Sequence, residues 1–591
     1  MKKNILTVAL SAVLPFSATT SASEPVDIVI TAKTAQSLAE TSVTSHVITE
    51  EQIEQSQATD LTQLIESTSG VNISTSGGRG SSAGTFIRGT SSGQIIVLVD
   101  GVRVNSATLG STDIGHIPLD FIERVEIVKG PLSGLYGADA VGGVIQVFTK
   151  KGASASSVEL EVGSFGHIKT AASINSAQFR VAASHESSDG IDATEDLLNG
   201  NDDEDGFEET AINIGTNLQI GSNSELAISG FFAQNEIEFD NIFATAPADY
   251  RTENEINTLS ASLRNNLSDQ LILSSTLGFT QNNSSTPAYS SQADTDRLSL
   301  STQAEYSYSD HNRVIAGADF YDESIETAET FPVSDRDNLG LFTQYQAEFG
   351  NVGSVFNLRY DDNSAYGSKV NGSLGLNVAL SPSTRFTASY GTAFRAPTFN
   401  ELYYPGYGNP DIQPEESDSF EIGVRGYLNT AAKSTQWRVS AYNTTIENLI
   451  GLSPEYTAIN INSAKIKGLE LELGMQLSNW NVNSSINLLD ATDESTGVQL
   501  ARRPEQTLQL ALMRQFGQLS IGTDLIAERG RYDAGEELNS FERIDIVSSY
   551  QISDYFTIAA KIGNVLDEDY QLAKGFNTPG RSFLVNGKYS F

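Results

Sequence analysis

From about Gly152 to Phe591 the chain alternates apolar and polar residues in short stretches, separated by clusters of Asn, Asp, Gly and Ser. Successive side chains of a strand point to opposite faces, so each stretch predicts a strand with one apolar side. Leu226, Ile228 and Phe232 share a face opposite Ala227 and Ser229. Phe386, Ala388 and Tyr390 do the same against Thr387, Ser389 and Gly391, as do Phe556, Ile558 and Ile562 against Thr557 and Lys561. The last stretch puts Phe583, Val585, Tyr589 and Phe591 in register. A soluble sandwich also alternates, but a soluble β region of this size, 440 residues (591 minus 151), usually splits into several domains, and no linker interrupts it. A lipid-facing band around a polar interior reconciles an unbroken β region with a mean hydropathy of −0.21. The expected fold is a transmembrane β-barrel.

The preceding residues read differently. Lys2 and Lys3, an apolar run from Ile5 to Phe16 and small residues from Ser17 to Ser23 follow the order of a secretory signal, with cleavage after Ala22 or Ser23. Asp27 to Ala32 is a short β-prone run with no obvious partner. Thr49 and Gln52 have capping-box spacing, and Leu61, Leu64 and Ile65 form a helical stripe that stops at Gly70. Ile95 to Val99 and Val102 to Val104 flank Asp100-Gly101, a pair suited to a tight hairpin turn, and Val125 to Val128 is a further strand candidate. The segmentation is a signal peptide at 1–22, a leader at 23–33, an α+β domain at 34–151 and the barrel at 152–591.

Charge and composition narrow the function. A formal net charge of −38 excludes nucleic acid as a partner, since phosphates would be repelled. Beyond the signal no run approaches the roughly 20 apolar residues of a spanning helix. There is no cysteine, hence no disulfide and no thiolate metal site. Gly89 to Gly93 fits a nucleophile-elbow pattern, yet a β-run follows where a helix is required, so a Gly-Ser turn explains it better. The five histidines, His46, His116, His167, His185 and His311, show no metal spacing. No residue is assigned a catalytic role.

Several blocks then carry a resemblance. Phe86-Ile87-Arg88-Gly89, Val97 to Arg103, Ile122 to Glu126, Gly130-Pro131 and Tyr136 to Ile145 stand in the first domain. Phe394-Arg395-Ala396-Pro397 with Asn409-Pro410-Asp411, Ile466-Lys467-Gly468 and Asn564 to Asp567 stand in the barrel. The chain resembles the TonB-dependent outer-membrane receptors over essentially its whole mature length, and among them the cobalamin transporters. The resemblance implies a barrel of 22 antiparallel strands with the α+β domain as a plug inside it, monomeric in outer-membrane lipid. It implies uptake driven by TonB, energised by the inner-membrane ExbB–ExbD complex. By position, Asp27, Ile28, Val29, Ile30, Thr31 and Ala32 are similar to the family's TonB box, which β-augmentation would engage.

Sites follow from the same resemblance. Asp189 to Glu209 is strongly acidic, and Asn201, Asp203 and Asp205 at two-residue spacing aim to one side of an extended chain, as a hard cation requires. The resemblance implies calcium in two extracellular loops, at Asp192, Asn201, Asp203 and Asp205 and at Phe239, Asp240 and Asp249; a solvated acidic loop is the plainer alternative. It also implies ligand contacts at Ser82, Gly84, Ser91, Leu109 and Gly110 in the plug and Arg502 in the barrel. A ferric siderophore or haem receptor of the same architecture is the rival. Thr398 to Gly408 contains no histidine, which counts against haem, and the acidity of the chain counts against a ferric anion.

Overall fold

The computed structural model describes residues 28–29, 33, 36–37, 42–152, 155–194, 203–241, 250–309, 311–430, 433–461 and 463–591. Twenty-two antiparallel strands close into one barrel, running from Ser157–Gly163 to Ser582–Ser590, and the first strand hydrogen-bonds to the last. Closure leaves no edge to expose unpaired backbone groups to lipid. Alternation holds along the wall. In Asp205–Ile220, Phe207, Glu209, Ala211 and Asn213 are buried toward the lumen, whereas Ile212 and Ile214 are exposed on the outside. Leu298, Leu300, Leu339, Leu341, Phe356 and Leu358 are likewise exposed, an apolar belt that a water-soluble monomer would not carry.

Strands are joined at one end by two to four residues, such as 478–479 and 517–518, and at the other by as many as nineteen, 396–414. Short turns mark the periplasmic end and long loops the cell surface. Tyr306, Tyr308, Tyr345, Trp480, Phe516, Tyr550 and Tyr589 are exposed near the short-turn end, where amphipathic rings favour a membrane boundary.

The plug is built from a five-stranded sheet in the order Ser45–Thr49, Ile122–Lys129, Gly143–Thr149, Ile95–Val99, Val102–Arg103. Only the pairing of Ile95–Val99 with Gly143–Thr149 is parallel. The local signals hold. Gln52 N donates to Thr49 Oγ1 and Thr49 N donates to Gln52 Oε1 at the start of the helix Glu50–Ser56. Leu61, Leu64 and Ile65 are the buried stripe of the helix Leu61–Glu66, capped by Asp60. Asp100 and Gly101 turn the hairpin with φ of 49° and 84°. The run at Asp27 proves less solitary than its sequence suggests: Ile28–Val29 pairs antiparallel with Gln36–Ser37, eight residues on. Two residues of ladder carry too little pattern to be read from polar neighbours.

The plug sits in the lumen on a core and a set of ions. Ile65, Ile87, Val97 and Ile127 belong to one buried cluster with the lumen-facing Ala182, Ala211, Phe231 and Ile256. On another wall, Arg88 donates to Glu421 Oε2 at 2.8 Å and to Glu470 Oε2 at 2.8 Å. Lys129 Nζ lies 3.1 Å from the same Glu470 oxygen. All four side chains are buried. Gly70, where the helical stripe stops, has φ 70°, and a Cβ there would fall 2.1 Å from Glu470 Oε1, so both backbone and space require glycine. Truncating one partner of a buried ion pair leaves the other uncompensated. Arg88→Ala is therefore expected to destabilise the seated plug by about 3–5 kcal/mol, read as a lower urea midpoint for plug unfolding while the barrel's own transition stays in place.

Candidate functional site

The outer face of the plug is made of two short loops. Ser82 and Leu109 are exposed there, Leu109 to 62%. Asn105 organises the second loop: its Nδ2 donates to Ile95 O at 3.0 Å and to Gly110 O at 3.2 Å. Gly110 has φ 77°, and a Cβ there would lie 2.9 Å from Thr398 Cγ2 and 3.9 Å from Gly93 Cα. Ser91 N donates to Gln94 Oε1 at 2.9 Å in a tight turn beside it. Ser91, Leu109 and Gly110 therefore form one small neighbourhood against the loop after Arg395. Gly84 sits over the Phe86 ring, whose face holds the Arg503 guanidinium at 4.7 Å. Arg502 Nε lies 3.0 Å from Asp533 Oδ2, while Arg503 Nε donates to the plug at Gly89 O, 2.8 Å. Arg503 is the neighbour that sequence reading passed over.

The 396–414 loop is fastened to this face by charge. Arg395 pairs with Glu401 and Glu415, each at 2.9 Å, and Gln94 Nε2 donates to Glu415 Oε2 at 2.6 Å. Asp139 accepts from Ala396 N at 2.8 Å. The Phe394 to Pro397 block is thus the joint between loop and plug.

Three carboxylates of the acidic loops are each tied to the short segment 193–194, with Asp205 and Asp240 buried. Ala193 N donates to Asp205 Oδ2 at 2.8 Å, Thr194 N donates to Asp192 Oδ1 at 3.1 Å, and Thr194 Oγ1 donates to Asp240 Oδ2 at 2.5 Å. Asp203 is exposed nearby. Phe239 N donates to Tyr250 O at 3.0 Å, and its ring packs with Tyr250 and Tyr289 at centroid distances of 5.8 and 6.2 Å. Asn201 and Asp249 lie outside the described residues. Among the described residues, no three potential ligand side chains converge on one point that a metal ion would occupy.

Of the predicted TonB box, Ile28 and Val29 are in the two-residue ladder, and Asp27, Ile30, Thr31 and Ala32 lie outside the described residues. The first strong anchor after it is Lys33. Its Nζ is 3.6 Å from Asp319 Oδ1 and 4.8 and 5.0 Å from the rings of Tyr136 and Phe342, and Gln303 Nε2 donates to its carbonyl at 2.6 Å. A single lysine in a polar leader gave no signal of this.

Comparison with known proteins now places the assembly. Residues 164–565 match the family model described as TonB dependent receptor-like, beta-barrel, and residues 37–144 match the TonB-dependent Receptor Plug Domain. The chain is a TonB-dependent receptor. It is 30% identical over 620 residues to the vitamin B12 transporter BtuB of Vibrio cholerae, covering 100% of each chain. It is 28% identical over 616 residues to that of Photobacterium profundum, again covering 100% of each. Among solved structures, the siderophore receptor PiuA of Acinetobacter baumannii superposes with a TM-score of 0.77 at 17% identity, covering 94% of this chain and 98% of that one. The ferric enterobactin receptor PfeA of Pseudomonas aeruginosa superposes with a TM-score of 0.78 at 18% identity, covering 93% and 100%. These likenesses establish the fold, and a receptor of this family belongs to the outer membrane.

One buried group of the receptor couples plug and wall to pH. His116 is 2% exposed, stacks on Phe207 at 6.0 Å and lies 3.9 Å from Asp113 and 3.7 Å from Glu209. Neither ring nitrogen has a hydrogen-bond partner. Burial disfavours its cation and nearby Arg79 opposes it further, but Asp113 and Glu209 together outweigh both and raise its pKa. A raised folded pKa gives stability that is complete below the unfolded value of about 6.5 and is lost as pH rises through the folded value. As pH rises above about 6.5 the plug's urea midpoint should therefore fall, and His116→Gln should flatten that slope; an unchanged slope would refute this assignment.

Proposed function

We propose that the receptor binds a cobalamin on the outer face of its plug and imports it across the outer membrane at the expense of TonB-transmitted energy. The end-to-end match to transporters named for vitamin B12 carries this reading, because it covers plug, barrel and the surface loops together. The likeness to siderophore receptors rests on fold alone, at 17–18% identity. The geometry supports capture rather than chemistry. Ser82, Gly84, Ser91, Leu109 and Gly110 present small side chains and main-chain groups to a large ligand, with Leu109 offering an apolar contact. On this reading Arg502 and Arg503 supply cations at the rim for the ligand's anionic group.

Calcium is the ion we assign to the acidic loops. Asp192, Asp203 and Asp240 are close enough to Asp205 to act on its charge, and such a gathering of like charges is costly without a cation among them. Oxygen donors of this kind suit a hard divalent ion, with Asn201 and Asp249 completing the set and Phe239 contributing its carbonyl. The absence of three convergent ligands in the described residues means that the ion would draw the two loops together rather than enter a finished cage. Calcium bound there orders the loops around the ligand.

On the inner side, TonB engages the Asp27 to Ala32 segment as an added strand, and ExbB–ExbD powers the pull. Force on this segment meets Lys33 first, and through it Asp319 and the plug's Tyr136.

Two measurements test the scheme. Cyanocobalamin should bind the purified receptor more tightly than a ferric siderophore, and removing calcium or introducing Asp205→Asn should weaken it by about tenfold or more. Tighter binding of the siderophore would overturn the ligand assignment, and indifference to calcium, together with no calcium protection of the 192–204 and 239–250 loops from protease, would overturn the ion site. Val29→Pro removes a ladder donor. It should abolish energised uptake in cells while equilibrium binding is unchanged, and uptake that survives would exclude this segment as the grip.

A further inference from the structure

The periplasmic edge of the barrel carries one cation in an unusual setting. Trp480, Arg514 and Ile521 stand directly opposite one another on the neighbouring strands Trp480–Asp493, Gln506–Phe516 and Leu519–Arg529. Side chains at one level of adjacent strands share a face. Thr507 and Gln509, at the odd positions of the middle strand, are buried toward the lumen, so the even positions Leu508, Leu512, Arg514 and Phe516 face outward. Trp480 is the first residue after the turn 478–479 and Phe516 the last before the turn 517–518. Arg514 is therefore at the level where the apolar belt meets periplasmic water.

Its surroundings are aromatic rather than acidic. The Arg514 guanidinium lies 4.9 Å from the Trp480 ring centre and 4.4 Å from that of Phe516. Among the described residues no carboxylate is paired with it. A cation at the opposite end of the barrel is set differently: Arg251 reaches Glu236 at 3.3 Å and Glu253 at 3.9 Å. Arg514 has only rings. Two ring faces fix the plane of a guanidinium while leaving its N–H edge open, and that edge matches two oxygens of a phosphate. The neighbouring indole N–H adds a donor. In a chain of net charge −38, a bare cation aimed at the headgroup layer has a counter-charge to gain from the lipid itself.

We propose that Trp480, Arg514 and Phe516 form a binding site for the phosphate of an anionic phospholipid in the periplasmic leaflet. Arg514 takes the phosphate, the rings of Trp480 and Phe516 flank the headgroup and glycerol, and Leu512, the next outward position toward the membrane centre, lines the acyl side. Occupation anchors the barrel at a fixed depth on the wall formed by these three strands.

The test exploits the chain's two tryptophans, Trp437 and Trp480. In the full-length receptor carrying Trp437→Phe, Trp480 is the sole indole, and its quenching by brominated phosphatidylglycerol is compared with that by brominated phosphatidylcholine in mixed vesicles. The expected result is an association about fivefold stronger for the anionic lipid, abolished in Arg514→Gln and partly kept in Arg514→Lys. Comparing the two lipids within each variant cancels any change in the fluorescence of Trp480 itself. Equal quenching by both lipids, or a preference that survives Arg514→Gln, would overturn the proposal. Loss of the preference on adding inorganic phosphate to the buffer would also overturn it, by showing a site for free phosphate. If Trp437→Phe does not fold, the same comparison is made by counting phosphatidylglycerol retained on detergent-purified wild type and Arg514→Gln by mass spectrometry. Equal retention then refutes the site.

Discussion

The seating of the plug depends on ions held out of water. Arg88 and Lys129 face Glu421 and Glu470 with every member buried, and the shell around them is closed by Thr44 Oγ1 donating to Glu421 at 2.6 Å, Ser440 Oγ donating to Glu470 at 3.2 Å and Lys129 Nζ donating to Ser69 O at 2.9 Å. Taking such ions from water costs several kcal/mol each, so the net stabilisation is small compared with the loss when one partner goes. What the cluster supplies is register. An apolar plug could slide or rotate in the lumen with little change in buried area, whereas forked Arg–carboxylate geometry is satisfied at one position only. A polar joint also differs from an apolar one in how it fails: once parted, each ion can be rehydrated, so a pulled plug need not collapse back through an unhydrated gap.

The same device recurs around the wall as a connected seam. Near the outer face, Arg297 and Arg336 share Glu323, and they donate respectively to Asn105 O at 3.1 Å and Pro397 O at 2.8 Å. Deeper, Asn363 bridges Tyr321 and Asn338 at 3.3 and 3.4 Å, and Asn338 donates to Asp361 at 3.1 Å. Asp361 holds Arg359, Arg359 holds Asp319, and Asp319 holds Lys33. With the Arg297 guanidinium 5.9 Å from the Tyr321 ring, the seam runs from the Asn105 and 396–414 loops to Lys33 through groups that each have few alternative partners. Local rearrangement at either end therefore has a physical means of being felt along the wall, because a buried polar group that loses one partner must find another.

How much of this was legible in the sequence follows from the range of each interaction. The barrel was, because alternation is a property of neighbouring residues, and Ile212 and Ile214 against Glu209 and Asn213 repeat it without reference to the rest of the chain. The plug's caps and turns were too, since Thr49 with Gln52 and Asp100 with Gly101 act over one to three residues. The ion joints were not. Arg88 meets Glu421 and Glu470 across 333 and 382 residues, and nothing local distinguishes those glutamates from the many that face water. Blocks such as Phe86 to Gly89 and Phe394 to Pro397 flagged the right places through family likeness, but their chemistry became visible only when Arg395 was seen on Glu401 and Glu415. Arg502 and Arg503 are indistinguishable as letters, and only the fold shows that one faces Asp533 and the other the plug.

Acidity, which at first served only to exclude partners, acquires a direction in the fold. On the outer surface toward the cell exterior, Glu208, Glu236 and Glu253 stand directly opposite one another on successive strands, and Asp322 opposes Asp337. Like charges at that spacing repel, so this rim is stable only where water and cations reach it. At the periplasmic end the outward positions are instead aromatic, with Arg514 among them. A barrel with an anionic, water-demanding rim at one end and an aromatic, cation-bearing rim at the other cannot shift along the membrane normal without either burying carboxylates in hydrocarbon or lifting tryptophan and tyrosine out of the interface, and both moves are unfavourable. Vertical position is thus set from both ends by the surface, while rotation and depth of the plug are set from within by Arg88 and its partners. Position in the bilayer and seating of the plug are therefore fixed by separate sets of groups, the rims outside and the buried ions within.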